Sequence, residues 1–306
     1  MPAEQDSFVF GEVPLSPVAN RLIGAAAEIM QSPPDKADFL HSVMCQVGMP
    51  RKRVEGHTFS RVNGGVALEI EAGKLWDGQR MQQQPLPYGT KPRLVMVHIS
   101  SEAVRTQSRE IEVGHSIRDF LETLGLGTSG GRTGPFSAFK AQMMALAACR
   151  MTIGFSAAGR TITLDAKPVE RFEAWLHPTG AQRTLWPGFL TLSERFYQTL
   201  TEHAVPLDKR ALGALQHSAL ALDCYTWLAH RLCRIEQQDG LRLSWANLHQ
   251  QFGSEYADRR DFKRTMKQAL SAALAVYPGA KVDSETGGIR LRPSPPPIPK
   301  TMVLLG

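Results

Sequence analysis

Two stretches of this chain carry the same punctuation, and that duplication limits the fold more than any single motif. The first runs Ser116-Ile-Arg-Asp-Phe-Leu-Glu-Thr-Leu-Gly125, then Phe139-Lys-Ala-Gln-Met143, then Gly159-Arg-Thr-Ile-Thr-Leu164. The second runs Ser244-Trp-Ala-Asn-Leu-His-Gln-Gln-Phe-Gly253, then Phe262-Lys-Arg-Thr-Met266, then Gly288-Ile-Arg-Leu291. In each copy a Ser that can accept an unpaired backbone N–H opens a helix, and apolar residues follow four and eight positions later. A Gly nine positions after each Ser closes the helix, where a positive φ is expected. A second helix carrying Phe-Lys-x-x-Met and a Gly-containing hairpin complete the unit. Helix, turn, helix and hairpin make a winged helix-turn-helix. The expected class is therefore α+β: two tandem winged helix-turn-helix domains, mainly helical with small antiparallel hairpins.

At 306 residues the chain is long enough for two domains that each bury a core. Its 42% hydrophobic and 21% charged residues give a globular rather than a disordered balance. A formal charge of +6 points to an acidic partner only weakly, so where the cations lie matters more than their sum. Cys45, Cys149, Cys224 and Cys233 have neither metal-ligand spacing nor a disulfide pattern, so they are expected to pack as small apolar residues in a reducing compartment. With no run of eighteen apolar residues and no signal-like start, a cytoplasmic location without membrane contact is expected.

Helices are expected over 18–30 and 36–47, a hairpin over 59–71 around Asn63-Gly64-Gly65, and a polar connector over 79–85. Residues 94–105 read as a helix, 109–113 as a short strand that pairs with the wing, and 165–187 as a connector with strand character. Further helices are expected over 191–203 and over 208–237, the latter broken near His217-Ser218. These readings give an N-terminal extension (1–58), a first winged-helix domain with its hairpin (59–165), a connector (166–187), a second winged-helix domain (188–292) and a Pro-rich tail (293–306). The Pro293–Pro299 run must be extended, leaving Thr301–Leu305 as an apolar tip.

The helix from about Asp258 to Tyr277 carries the strongest local signal. Arg259, Arg260, Lys263, Arg264 and Lys267 fall on one stripe, and Phe262, Met266, Ala269, Leu270 and Ala273 on the adjacent one. One face anchors the helix while the other presents cations. A solvated surface would look the same in isolation; coupled to a capped helix upstream and a hairpin downstream, the stripe reads as a DNA-reading helix. The matching helix of the first unit, 135–151, offers Lys140, Gln142 and Arg150. The wings add Arg160 in the first unit and Lys281, Arg290 and Arg292 in the second, and Arg132 closes a glycine-rich loop that could hold phosphate. Arg51-Lys52-Arg53 is a further basic run, an arm onto phosphate or a solvated loop.

The loop from Gly125 to Gly130 formally matches G-x-G-x-x-G, but a dinucleotide site needs that pattern straight after a strand, and here it follows a helix. There is no G-x-x-x-x-G-K-[ST] run. Neither a His pair placed for metal-dependent nicking nor a base beside Tyr197, Tyr225 or Tyr256 is evident. No catalytic residue, metal or cofactor is expected, and the chain reads as a binder.

Residues Glu102–Gln107, Gly114–Leu121, Ser218–Arg231, Ser244-Trp245 and Gln251–Gly253 give the chain a resemblance to the RepA family of plasmid replication initiators, of the broad-host-range W-incompatibility type, and more distantly to TrfA. The resemblance runs from about Phe59 to Ile298. It implies binding of double-stranded DNA at repeated origin sequences (iterons), opening of adjacent A·T-rich duplex, recruitment of the host initiator and replicative helicase, and action as monomer or homodimer. A transcriptional repressor without initiator activity, and a winged-helix protein-interaction scaffold, stay open as alternatives.

Overall fold

Ser16 accepts the Ala19 N–H and Pro17 takes the first helical position, where no N–H is needed, so helix α1 runs Pro17–Gln31 until Ser32-Pro33-Pro34. The computed structural model describes residues 16–113, 117–124, 135–157, 159–165, 167–177 and 184–299. The expected helix over 36–47 is instead strand β1 (Asp38–His41) followed by the short α2 (Ser42–Gln46). All four strand residues are buried, and a fully buried run has no periodicity to separate strand from helix. The His41 imidazole caps α2, its Nδ1 accepting the Val43 N–H at 3.2 Å.

The chain forms two compact units, one of residues 39–204 and one of residues 205–306 with 1–38. In the first unit, β2 (Thr58–Asn63) and β3 (Val66–Glu71) make the expected hairpin, with Gly64 at φ +57° in its turn. The polar stretch 79–85 is not a plain connector: β4 (Lys74–Trp76) and β5 (Met81–Gln83) close a second, tight hairpin. Helix α3 (Thr90–Thr106) contributes Leu94, Val95, Met96, Val97 and Ile99 to the core. It is followed by β6 (Glu110–Glu112), α4 (Ile117–Thr123) and α5 (Pro135–Ala148). Phe120 of α4 meets Phe139 of α5 with ring centroids 5.9 Å apart.

The hairpin that follows α5 is where the duplication fails as a guide. Strands β7 (Arg150–Ala157) and β8 (Arg160–Asp165) turn at Gly159, yet β7 pairs with β3, giving a four-stranded sheet in the order β2-β3-β7-β8. Leu68, Ile70, Met151 and Ile153 are all buried in that sheet, so the N-terminal hairpin captures β7 by burying apolar surface. The wing of this unit is formed later, by β9 (Val169–His177) and β10 (Thr184–Leu192), over the stretch expected to be a connector. Strand β6 pairs with β10, matching Ile111 to Leu190, and not with the Gly159 hairpin that the sequence offered as its wing. Ser193 caps α6 (Glu194–His203), which packs on α3.

The second unit is simpler. After β11 (Ala204–Leu207), Asp208 caps α7 (Lys209–Leu215) and Ser218 caps α8 (Ala219–Arg231), the break falling where His217-Ser218 suggests. Strand β12 (Leu241–Ser244) leads into α9 (Trp245–Phe252) and α10 (Arg259–Ala275). The wing is β13 (Val282–Glu285) with β14 (Gly288–Leu291). The sheet order is β12-β14-β13, all antiparallel, and Gly287 supplies the positive φ of +85° at the wing turn. Helix α8 is the inner wall: Cys224 Sγ lies 3.8 Å from Met266 Sδ, and the Trp227 ring meets Phe252 edge-on at 5.3 Å. The Pro-rich segment folds back on this unit, with Tyr277 donating its hydroxyl to the Pro295 carbonyl at 2.6 Å and Ile298 fully buried. The apolar tip 301–305 lies outside the described residues.

Both units thus run helix, strand, helix, helix and wing, with β7 and β8 inserted before the wing in the first. The fold is α+β with two tandem winged helix-turn-helix units and small antiparallel sheets.

Candidate nucleic-acid interface

Helix α9 starts on a reciprocal cap: the Ser244 hydroxyl accepts the Asn247 N–H at 3.1 Å, and the Asn247 side chain accepts the Ser244 N–H at 3.1 Å. Its closing Gly253 has φ −97°, not the positive value expected. Glycine is needed there for space, because a Cβ would lie 2.5 Å from the His249 carbonyl oxygen and from its ring. The Gly125 counterpart and the Ser116 cap lie outside the described residues.

Asp258 caps α10, accepting the Arg260 N–H at 2.6 Å. The apolar stripe is buried as its spacing requires: Phe262, Met266, Ala269, Leu270 and Ala273 all face the core. Phe262 is held edge-on by His249 at 5.0 Å and by Tyr256 at 5.5 Å. Arg259, Arg260, Lys263 and Arg264 are exposed on the opposite side, and Lys267 is half-buried. Arg264 is 2.9 Å from Asp261, a pair so open to water that it holds the side chain only loosely. Among the described residues, no carboxylate lies within 4 Å of Arg259, Arg260 or Lys263. The Lys263 ammonium sits over the Trp245 ring, 5.3 Å from its centroid.

The wing cations of this unit are tied more closely. Arg290 is hydrogen-bonded to Glu285, which keeps its guanidinium charged, and it also donates to the Asp239 carbonyl at 3.0 Å. Glu285 lies 3.5 Å from Arg242 as well, and Arg292 is paired with Asp283. Lys281 is exposed, with its backbone N–H bonded to the Ser294 hydroxyl. Arg242 and Trp245 flank the same surface and were missed in the sequence. The alternation Leu241-Arg242-Leu243, ending at a capping Ser, is the signal that could have found the first.

The first unit differs. Gln142 is buried and its side-chain oxygen accepts the Tyr88 N–H at 2.7 Å, so it braces the entry to α3 instead of facing a ligand. Lys140 is half-buried, and burial lowers its pKa. Arg150 is not on the helix, which ends at Ala148. It opens β7 and holds Asp165 bidentately at 3.1 and 2.5 Å. Arg160 is exposed at the Gly159 turn, on the four-stranded sheet and not on a wing. Arg132 and the glycine-rich loop lie outside the described residues; the residues just before that loop form α4, a helix where a dinucleotide site needs a strand. The solvent side of α5 holds Ser137, Ala138 and Ala141, so no cation row corresponds to that of α10.

Among the described residues no group of three or more His, Cys, Asp or Glu could hold a metal, and no helix is long and apolar enough to cross a membrane. Cys45, Cys149 and Cys224 are buried and Cys233 is exposed; burial pushes the Cys149 thiol up to about 12.

No curated protein matches the chain. A crystal structure of domains 2 and 3 of RctB is similar with a TM-score of 0.49 and 11% identity, over 81% of this chain and 94% of that one. The family model described as the plasmid-encoded RepA protein matches residues 86–247, just over half of the chain, from the approach to α3 into α9. With that match over more than half of its length, the chain belongs to the plasmid-encoded RepA protein family.

Proposed function

We propose that this chain initiates plasmid DNA replication by binding repeated origin sequences and promoting the opening of adjacent duplex, and that it acts in the bacterial cytoplasm without catalytic residues or cofactors of its own. The observation that carries the reading is α10: an apolar stripe locked in the core turns Arg259, Arg260 and Lys263 outward, with no carboxylate within 4 Å among the described residues. A helix mounted on such a stripe fits the major groove, where Arg and Lys reach guanine edges or phosphates. Arg264 and Lys267 extend the same row. The wing cations Lys281, Arg290 and Arg292 lie beside it as backbone contacts, two of them after exchanging a carboxylate for a phosphate.

The first unit contributes differently. With Gln142 buried and α5 lined by small residues, its contact with DNA rests on Lys140, Arg160 and the Arg132 loop, and its remaining surface is free for the host initiator, the helicase or a second copy. Two units in one chain raise each other's effective concentration at adjacent parts of one repeat.

The test is a mobility-shift series on duplexes carrying the plasmid's own repeats and on scrambled duplexes. Binding should fall about a thousandfold between roughly 50 and 200 mM salt if about six phosphates are contacted. Arg260→Ala with Lys263→Ala should abolish preference for the repeats. A flat salt response, or a double variant that binds like the parent, defeats the reading.

A further inference from the structure

The β4–β5 hairpin of the first unit is a rigid ribbon that turns its largest apolar side chains to solvent. The Asp77 carboxylate fixes its turn: one oxygen accepts the Gln79 and Arg80 N–H groups, each at 2.8 Å, and the other accepts the Gln82 amide at 2.9 Å. Those bonds hold its pKa down at about 2. Gly78 completes the turn at φ +95°. At the base, Gln84 donates its N–H to the Gly73 carbonyl at 2.9 Å. A Cβ on Gly73 would lie 1.9 Å from the Ala148 carbonyl oxygen, so the ribbon is pressed against the end of α5.

Trp76 and Met81 are cross-strand partners, as are Lys74 and Gln83, so all four share one face. Trp76 is 58% exposed and Met81 57%, although a tight hairpin beside a core could bury both. The charges around them are Lys74 on the face and Arg80 at the tip; Arg80 is 4.0 Å from Asp77, whose oxygens are already engaged by the turn. The face continues at Gln83 into an open groove of about 770 Å³, lined by Arg53, Glu55, His57, Gln83 and Gln84. The basic run 51–53 thus has one member at the foot of the ribbon.

We infer that this ribbon binds unpaired DNA, with Trp76 as a platform for a base, Met81 beside it, and Lys74, Arg80 and Arg53 along the phosphates. An indole stacks on any base, and flanking cations make such a platform sequence-tolerant. A protein partner is the poorer fit, because Lys74 on the face and Arg80 at the tip are cationic, the Asp77 carboxylate is taken up by the turn, and the remaining carboxylate, Glu55, lies in the groove beyond Gln83 beside Arg53. The inference deepens the origin-opening reading by naming what receives the opened strand, but its measurement does not depend on repeat recognition.

The experiment uses the full-length protein and a fluorescein-labelled oligothymidylate of about twenty nucleotides, with fluorescence anisotropy as the readout. Trp76→Ala should weaken single-strand binding about tenfold or more, while Trp76→Phe retains most of it. Both should bind duplex repeats like the parent. Lys74→Gln and Arg80→Gln should each flatten the salt dependence on the single strand. Arg260→Ala with Lys263→Ala should do the reverse, losing duplex and keeping the oligothymidylate, so failure of the α10 reading is seen separately. The inference is overturned if the parent does not bind oligothymidylate, if Trp76→Ala binds it as well as the parent, or if that variant loses duplex in equal measure.

Discussion

The Lys263 ammonium lies over the Trp245 indole, 5.3 Å from the ring centroid, joining the first turn of α9 to α10 across the outer surface of the second unit. An exposed contact of this kind contributes about 0.5–1 kcal/mol. Its larger effect is to choose among the many rotamers of a lysine that, on the proposed reading, faces DNA. Lys263→Ala should therefore lower DNA affinity, Trp245→Ala should lower it by less, and the two should not add. The check is a double-mutant cycle on duplex affinity; strict additivity would show that the ring does not position the ammonium.

Glu285 sits between two cations, bonded to Arg290 and 3.5 Å from Arg242. Glu285→Gln keeps the shape and removes the charge, releasing both guanidiniums for phosphate. Affinity for any duplex should rise, and the plot of log affinity against log salt should steepen by about one to two contacts. Fold stability should change little, because both arginines keep access to water. An unchanged slope would place this wing away from the backbone.

What the sequence made legible follows from what each signal measures. Apolar spacing on α10 registers burial directly, and Phe262 and Met266 are buried as Phe139 and Met143 are in the first unit. Caps are local, so Ser218 and Ser244 could be read without knowing the fold. The first wing could not, because strand pairing is decided by which edge is available: the Gly159 hairpin has wing-like chemistry but lies beside β3. Gln142 is not legible for the opposite reason, since a polar residue on an apolar helix suggests a ligand until its backbone partner, 54 positions away, is seen. Nor does sequence separate an arginine that faces solvent from one, like Arg150, that is held by a carboxylate across a hairpin.

Two glycines separate space from backbone conformation. Gly253 has φ −97°, which any residue adopts, but its Cβ would stand 2.5 Å from the His249 carbonyl oxygen. Gly287 has φ +85° with nothing closer than 3.8 Å. Gly253→Ala should cost ~1–3 kcal/mol through displacement of α9 against α10, and Gly287→Ala about 1 kcal/mol or somewhat more through strain alone. Thermal melts rank them. Asn at 287 should restore part of the loss because it tolerates a left-handed backbone, whereas Asn at 253 should not.

Stability should also fall in mild acid, with His41 as one source. Its ring is buried, stacked on Phe196 with centroids 5.9 Å apart, and faces the His203 ring at 6.3 Å. Burial first, and the charge of His203 second, lower its pKa from 6.5 to about 4. Between those values the unfolded chain holds a proton that the folded chain refuses, so unfolding free energy rises with pH. The contribution is complete above about pH 6.5 and is lost as pH falls toward 4, amounting to about 3 kcal/mol. His230, lowered to about 4 by burial and then by Arg234 and Arg231, acts with the same sign in the other unit. His41→Asn keeps an acceptor for the Val43 N–H and removes the titration. Urea unfolding at steps from pH 7.5 to 4.5 should show a shallower loss for the variant in the transition of residues 39–204, and an identical slope would mean that His41 accepts its proton without unfolding that unit.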